Sequence, residues 1–395
     1  MPVELKPGVY WVGAVDWGVR FFHGHELSTH RGTSYNAYLI VDEKIALLDT
    51  VRASFAPELL ARIREIVDPA KIDYVIAAHA EPDHSGSLPE VLRHTPNAQL
   101  VVSKQGAKSI EGYFHQGWDY KPVGTGDRIS LGQNELVFTE AAFLHWPDSM
   151  FTYLTGHNIW FPNDAFGQHF ATPFRFDDEA CPEELATETL KYFVNIINPY
   201  SHLVGPKIEE VLSFGWPIDM IAPSHGVIWR KSPAEIIAQY REWAEQKSGK
   251  RALVLYASMW EATRKMADAI GEGLTDTNTN HKVIDVSTAD RNDLNAEIFN
   301  ARALIVGSST INKGPLPDLA PMLIDLKGLK FKNKIGAAFG SYGWSADAVK
   351  YIEEQLSGAG IEMVRPGLKC RWQPAAEDLA ACRTLGREIG EMLKA

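Results

Sequence analysis

The sequence predicts an α/β protein built from two domains, and three features carry that prediction. Short β-prone segments alternate with amphipathic helical stretches along the chain. A small, polar and basic stretch at residues 247–251 interrupts the pattern. Beyond it the strands become apolar throughout. Strands that are apolar on both faces and alternate with helices indicate a parallel sheet covered on both sides. The domains are therefore expected at 1–249 and 250–395, the second a doubly wound parallel sheet.

In the first part, residues 9–13, 35–41 and 44–49 read as strands separated by turn residues. Leu59, Leu60, Ile63 and Ile66 recur at helical spacing and predict a helix over 55–67, ahead of a strand over 73–78. The alternation continues with a helix at 87–94, a strand at 98–103, a helix at 105–114 and strands within 127–143 and 150–161. A long helical stretch over 182–214 is expected to break at Pro199 and Pro206. An apolar strand over 219–225 and a helix over 233–246 close the first domain. In the second, strands are expected at 251–256, 282–286, 303–307 and 334–339, with a helix over 263–274.

Composition excludes several function classes. The chain has 395 residues, 45% of them hydrophobic, and a net charge of -11. With no long Lys/Arg run, that charge argues against nucleic-acid and anionic-membrane partners. No apolar run approaches a membrane span, and the first residues lack a signal-peptide pattern, so a cytoplasmic address is expected. Cys181, Cys370 and Cys382 include no C-x-x-C pair. A disulfide framework, a zinc ribbon and a rubredoxin-type iron site are unsupported, and each cysteine reads as a packed or surface thiol.

The chemistry centres on His79-Ala-Glu-Pro-Asp-His84, where His79, Glu81, Asp83 and His84 follow an apolar strand directly. Three further candidates sit after β-like segments: His145 in Phe-Leu-His-Trp-Pro-Asp, Asp164 in Phe-Pro-Asn-Asp-Ala-Phe, and His225 in Ala-Pro-Ser-His-Gly-Val. Alone, His145 or His225 is more often a structural histidine and Asp164 a turn residue. Together with the motif they resemble the metallo-β-lactamase fold, an αβ/βα sandwich. Zinc hydrolases of that superfamily typically carry His-x-His-x-Asp-His, and here Glu81 replaces the second histidine. Four histidines and three carboxylates suit two metals with open positions, and the added hard oxygen donor shifts preference from zinc towards iron or manganese. His23, His115, His157, His169 and His202 read as structural.

In the second domain, Ser258, Met259, Trp260, Glu261, Ala262 and Thr263 follow a strand and open a helix, where backbone N–H groups and hydroxyls can hold a phosphate. No G-x-G-x-x-G or Walker motif is present. Two more loops are expected after strands: Ser308, Ser309, Thr310, Ile311 and Asn312, then Ser341, Tyr342, Gly343, Trp344 and Ser345. Loops at the carboxyl ends of parallel strands are where flavodoxin-like folds cradle FMN.

With both halves in view, the chain closely resembles the flavodiiron proteins, or rubredoxin:oxygen oxidoreductases. The resemblance runs over essentially all residues, including the motifs at 145–150, 163–169 and 339–345. It implies that His79, Glu81 and His145 bind one iron, that Asp83, His84 and His225 bind the other, and that Asp164 bridges them. It also implies reduction of O2 to water or of NO to N2O, with electrons relayed through FMN. The donor would be a separate protein such as rubredoxin, and the smallest active unit a head-to-tail homodimer, alone or as a dimer of dimers. Tyr192-Phe193 stands where the family often has paired aromatics near the substrate. Phe21 stands where it often has Asp, and His23 is implied to lie behind the ligands. Competing readings are a binuclear zinc hydrolase with a flavodoxin-like appendage and a non-catalytic O2/NO-sensing electron-transfer protein.

Overall fold

The apolar faces of two β-sheets supply the core of the first half of the chain. In the computed structural model, which describes residues 1–394, the first unit is Met1–Glu245 and the second begins at Gln246. One sheet of the first unit runs Val3–Lys6, Val9–Trp11, Tyr38–Val41, Ile45–Leu48, Tyr74–Ala77, Gln99–Ser103 and Tyr120–Val123 in spatial order. The other runs Arg128–Ser130, Glu135–Glu140, Met150–Leu154, Ile159–Phe161 and Met220–Ile221. Strand side chains alternate between faces, so Val9, Trp11, Tyr38 and Ile40 meet Leu136, Phe138, Met150 and Phe161 in one buried cluster.

The first sheet changes from antiparallel to parallel at Ile45–Leu48. Parallel neighbours need crossover connections, and those carry the helices Ala56–Arg64, Leu88–His94 and Lys104–Phe114. Leu59, Leu60 and Ile63 are the buried side of the first helix. This is the expected αβ/βα sandwich, with its parallel strands ending on a common edge.

Two expectations need correction. Pro206 does not break the chain, because the helix Ser201–Ser213 runs through it. A proline removes one helical hydrogen bond, and here the buried face of Val204, Ile208 and Val211 holds the helix together. The break before it is a π-helical turn, Phe193–Ile197, followed by a 3-10 turn at Asn198–Tyr200. The strand expected over 219–225 contracts to Met220–Ile221, since the chain must turn to present His225.

In the second unit the strands lie in the order Asn280–Asp285, Arg251–Ala257, Ala303–Ile311, Ile335–Tyr342 and Glu362–Met363, all parallel. Leu368–Arg371 also pairs with Ile335–Tyr342. This is the doubly wound 2-1-3-4-5 order, whose ligand crevice lies at the carboxyl ends of the strands. The helices Ala262–Asp276 and Ala376–Lys394 cross on one face at glycines. A Cβ on Gly273 would sit 2.0 Å from the Arg383 carbonyl oxygen, and one on Gly386 would sit 2.1 Å from that of Ile270. Among the described residues no helix is long and apolar enough to cross a membrane.

Replacing Gly386 by alanine forces this helix pair apart. We expect a loss of about 2 kcal/mol in the stability of the second unit, read as a lower denaturant midpoint for its unfolding with that of the first unit unchanged.

Candidate metal centre

The loop after Tyr74–Ala77 is gripped before any metal is considered. Asp49 accepts the N–H of Ala78 at 2.8 Å and Asp148 accepts that of Ala80 at 2.9 Å. The Ser85 hydroxyl donates to the Ala80 carbonyl at 2.7 Å, and the Thr50 hydroxyl donates to the His84 carbonyl. Pro82 opens the short helix Pro82–Ser85, where its missing N–H costs nothing. His79 and Glu81 therefore leave the strand end on one side of the turn, and Asp83 and His84 on the other.

All seven candidate ligands converge, and Asp164 divides them. Its Oδ2 lies 3.2 Å from His79 Nε2 and 2.9 Å from His145 Nε2. Glu81 Oε2 completes that set at 3.4 Å from His79 and 3.2 Å from His145. The Oδ1 of Asp164 lies 3.1 Å from His84 Nε2 and 3.8 Å from His225 Nε2. Asp83 Oδ2 completes the second set, 3.3 Å from His84 and 3.1 Å from His225. Donors about 3 Å apart subtend neighbouring corners around an ion with bonds of about 2.1 Å. The His79 Nε2, Asp83 Oδ1 and Asp164 Oδ1 atoms are buried without a hydrogen-bond partner, the condition of lone pairs directed at a cation. The residues present thus fit two metal ions.

The electrostatics agree. Burial alone would push the imidazoles down, but Asp164, Asp83 and Glu81 override it. His84 rises to about 10, His145 to about 9, and His79 well above the ordinary value. Against their own burial, the histidines hold Glu81, Asp83 and Asp164 well below the usual carboxylate range.

Two histidines read as structural lie against the cluster. His23 Nε2 hydrogen-bonds Glu81 Oε1, so it fixes the carboxylate oxygen that faces away from His79 and His145. The buried His169 stacks on Phe22 at 4.6 Å between ring centres, lies 5.0 Å from the His225 ring, and meets the Thr33 hydroxyl through Nδ1 at 3.1 Å. Burial and the neighbouring His225 keep it neutral. Its only sequence signal was its place five residues after Asp164. Tyr192 approaches the same rings, 4.9 Å from His169 and 5.9 Å from His225. Phe193 turns the other way onto Tyr240 and Trp243. Phe21 is exposed and contacts His25. His115, His157 and His202 join no group of candidate metal ligands among the described residues.

In the second unit, the three loops meet through a triangle of hydroxyls. Thr263 Oγ1 lies 3.0 Å from Ser309 Oγ and 2.9 Å from Ser341 Oγ, and the two serines are 3.2 Å apart. Two of the expected loops are in part strand. Ala303–Ile311 takes in Ser308 to Ile311, and Ile335–Tyr342 takes in Ser341 and Tyr342. Asn312 and Lys313 then form a two-residue hairpin turn, both with positive φ. Ser308 is turned inward, where its hydroxyl accepts the Leu316 N–H at 2.9 Å. Met259, Trp260 and Glu261 lie ahead of the helix that starts at Ala262, and Arg264 N–H reaches Ser258 Oγ at 3.4 Å.

Sequence reasoning missed a fourth loop, because Leu-Lys-Cys-Arg at 368–371 shows no apolar run. Trp372 follows that strand, and its indole covers Gly343, where a Cβ would stand 2.7 Å away. Gln373 ties the loop to the first one by donating to the Trp260 carbonyl at 2.8 Å. Trp260, Trp344 and Trp372 are largely exposed around the hydroxyl triangle. Polar groups ringed by uncovered aromatics fit a planar, phosphorylated ring system.

Comparison with known proteins agrees with this geometry. The family described as ODP family beta lactamase matches residues 33–226, and the flavodoxin family matches residues 254–386. The nitric oxide reductase of Moorella thermoacetica is 47% identical over 98% of each chain. The chain belongs to the flavodiiron proteins. The anaerobic nitric oxide reductase flavorubredoxin of Vibrio vulnificus is 44% identical over 99% of this chain and 80% of its own length. The rubredoxin oxygen:oxidoreductase of Desulfovibrio gigas superposes with a TM-score of 0.97 at 37% identity, covering 100% of this chain and 99% of its own. The flavodiiron protein of Giardia intestinalis superposes at 0.95 with 33% identity, over 100% and 97% of the two chains. Flavodiiron proteins carry FMN and two irons, and both halves of this chain fit those groups.

In the metal-free flavodiiron protein, His79, His84 and His145 hold protons at neutral pH, and a metal must displace them. Loading with Fe(II) at pH 7 should release up to about three protons per protomer, measured by pH-stat titration. A histidine whose folded pKa is raised stabilises the fold below its ordinary pKa of 6.5 and loses that contribution as pH rises through the folded value. The metal-free protein should therefore lose stability progressively from about pH 6.5 to about pH 10, whereas the loaded protein should not.

Proposed function

We propose that this flavodiiron protein is a gas reductase. It takes two NO, two electrons and two protons to N2O and water, and O2 with four electrons and four protons to two waters. The observation that carries the reading is the division of Asp164, whose two oxygens serve two separate ligand sets within one buried cluster. His79, Glu81 and His145 would hold one iron, and Asp83, His84 and His225 the other. The relatives act as support: proteins named nitric oxide reductase and rubredoxin oxygen:oxidoreductase align with the chain from end to end. The zinc-hydrolase and sensor readings have no comparable relative among these.

When bound, the irons supply a place for the gas and the electrons it accepts, while FMN stores electrons singly or in pairs. The protein's part is to hold and shield. Three carboxylates offset much of the metal charge in a dry site. The Glu81–His23 contact keeps one carboxylate oxygen occupied and leaves the other for the metal. Neutral His169 and the Tyr192 ring close the pocket beside His225, and burial with the nearby carboxylates keeps the Tyr192 hydroxyl protonated.

Ser258 to Thr263, Ser309 to Asn312 and Ser341 to Ser345 would cradle FMN, with the exposed tryptophans beside its ring. The electrons would come through a carrier of the rubredoxin kind, the donor that the name of the relative from Desulfovibrio gigas gives. A head-to-tail homodimer would bring the flavin of one subunit to the metals of the other, and the acidic charge suits a cytoplasmic protein.

The test is anaerobic consumption of NO, and of O2, by protein reduced through such a carrier. His79→Ala should abolish both, and iron content should fall below the expected value of about two per protomer. Wild-type protein with both irons loaded and neither gas consumed would sink the reading.

A further inference from the structure

We propose that Gln168 is a positioning residue for the second metal site, its amide locking the loop of the bridging Asp164 to the loop of His225. This rests on the reading of two ligand sets divided by Asp164 and deepens it. Both loops turn sharply beside their ligand. After Asp164 the Gly167 N–H returns to the Asp164 carbonyl at 3.0 Å, with Phe166 in the left-handed region at a φ of 66°. After His225, Gly226 has a φ of 76°. Neither Asp164 nor His225 lies in a helix or strand, so no regular ladder of hydrogen bonds holds either backbone.

Gln168 joins the two. Its Nε2 donates to the Phe166 carbonyl at 2.7 Å, and its Oε1 accepts the Val227 N–H at 2.8 Å. Its backbone N–H donates to the His225 carbonyl at 3.3 Å. One side-chain partner is a backbone acceptor and the other a backbone donor, so the amide has a single orientation, and a hydrocarbon side chain could serve neither. The residue is completely buried, where losing these bonds leaves backbone groups unpaired. Gly226 makes the approach possible, since a Cβ there would stand 2.1 Å from Gln168 Oε1. The His225 ring is oriented separately, by Nδ1–H donating to the Ser34 carbonyl at 2.6 Å. What Gln168 fixes is the place of the His225 backbone relative to Asp164, whose Oδ1 lies 3.8 Å from His225 Nε2. Metal–ligand bonds tolerate errors of only about 0.2 Å, so a freed loop weakens the second site. In the first set His79, Glu81 and His145 lie on other loops.

Gln168→Met keeps the bulk and removes both side-chain hydrogen bonds. When Fe(II) is added anaerobically to the metal-free full-length protein, one iron should bind as in wild type and the other about tenfold to a hundredfold more weakly, with flavin content unchanged. The Mössbauer spectrum of the iron that survives desalting should match that of His225→Ala, which removes a ligand of the second set, a match that general destabilisation does not produce. Gln168→Asn carries the same amide one methylene short of spanning both partners. It should behave likewise, and it serves if the first variant does not fold. Two tightly bound irons with the wild-type spectrum in either variant, or loss of both irons together, overturns the proposal. If His225→Ala itself keeps both irons, the ligand reading fails whatever Gln168 does.

Discussion

Seven ionisable side chains packed into a protein interior are tolerable only if their charges compensate, because an isolated buried charge costs several kcal/mol even after relaxation. In this chain Asp164 makes the compensation possible. One carboxylate faces two imidazoles through Oδ2 and two more through Oδ1. Glu81 and Asp83 then each complete one side. Without a metal, shared protons balance the cluster. With metals, the same lone pairs would face the cations, and the protons would leave.

The fold serves that constraint by aiming strand ends. The motif loop hangs from the parallel part of the first sheet, while the loops bearing His145, Asp164 and His225 hang from the second. The two sheets are fixed against one another by their shared core, so donors from separate sheets meet at 3.1 to 3.2 Å. Asp49 and Asp148 hold the motif loop by its backbone, which leaves its side chains free for the cations. The aromatic Phe22, His169 and Tyr192 fill the space beside His225 and exclude water there.

The second unit solves a different problem, the binding of a large planar cofactor without a phosphate-loop motif. Its hydroxyl triangle joins three neighbouring strand ends, and its tryptophans remain uncovered. Gly343 lies under Trp372 because no other residue leaves room for the indole. The helix pair that crosses at Gly273 and Gly386 makes the scaffold behind these loops rigid.

The sequence by itself determined the fold class, the seven candidate ligands and the three loop hydroxyls Thr263, Ser309 and Ser341, because these depend on local pattern. Apolar strands followed by polar turns leave a trace in one stretch of chain, and His-x-Glu-x-Asp-His is too dense in donors to arise from packing. Its failures share a cause. Pro206 sits inside a helix, Ser308 points inward and the strands run on to Ile311 and Tyr342, all through contacts with residues far away in the chain. Only the tertiary structure decided that His23 and His169 belong to the centre and that Tyr192, not Phe193, faces it. It alone brought Trp372 over Gly343 and tied its loop to the first flavin loop through Gln373. Each of those is a meeting of distant segments, and no local spacing records it.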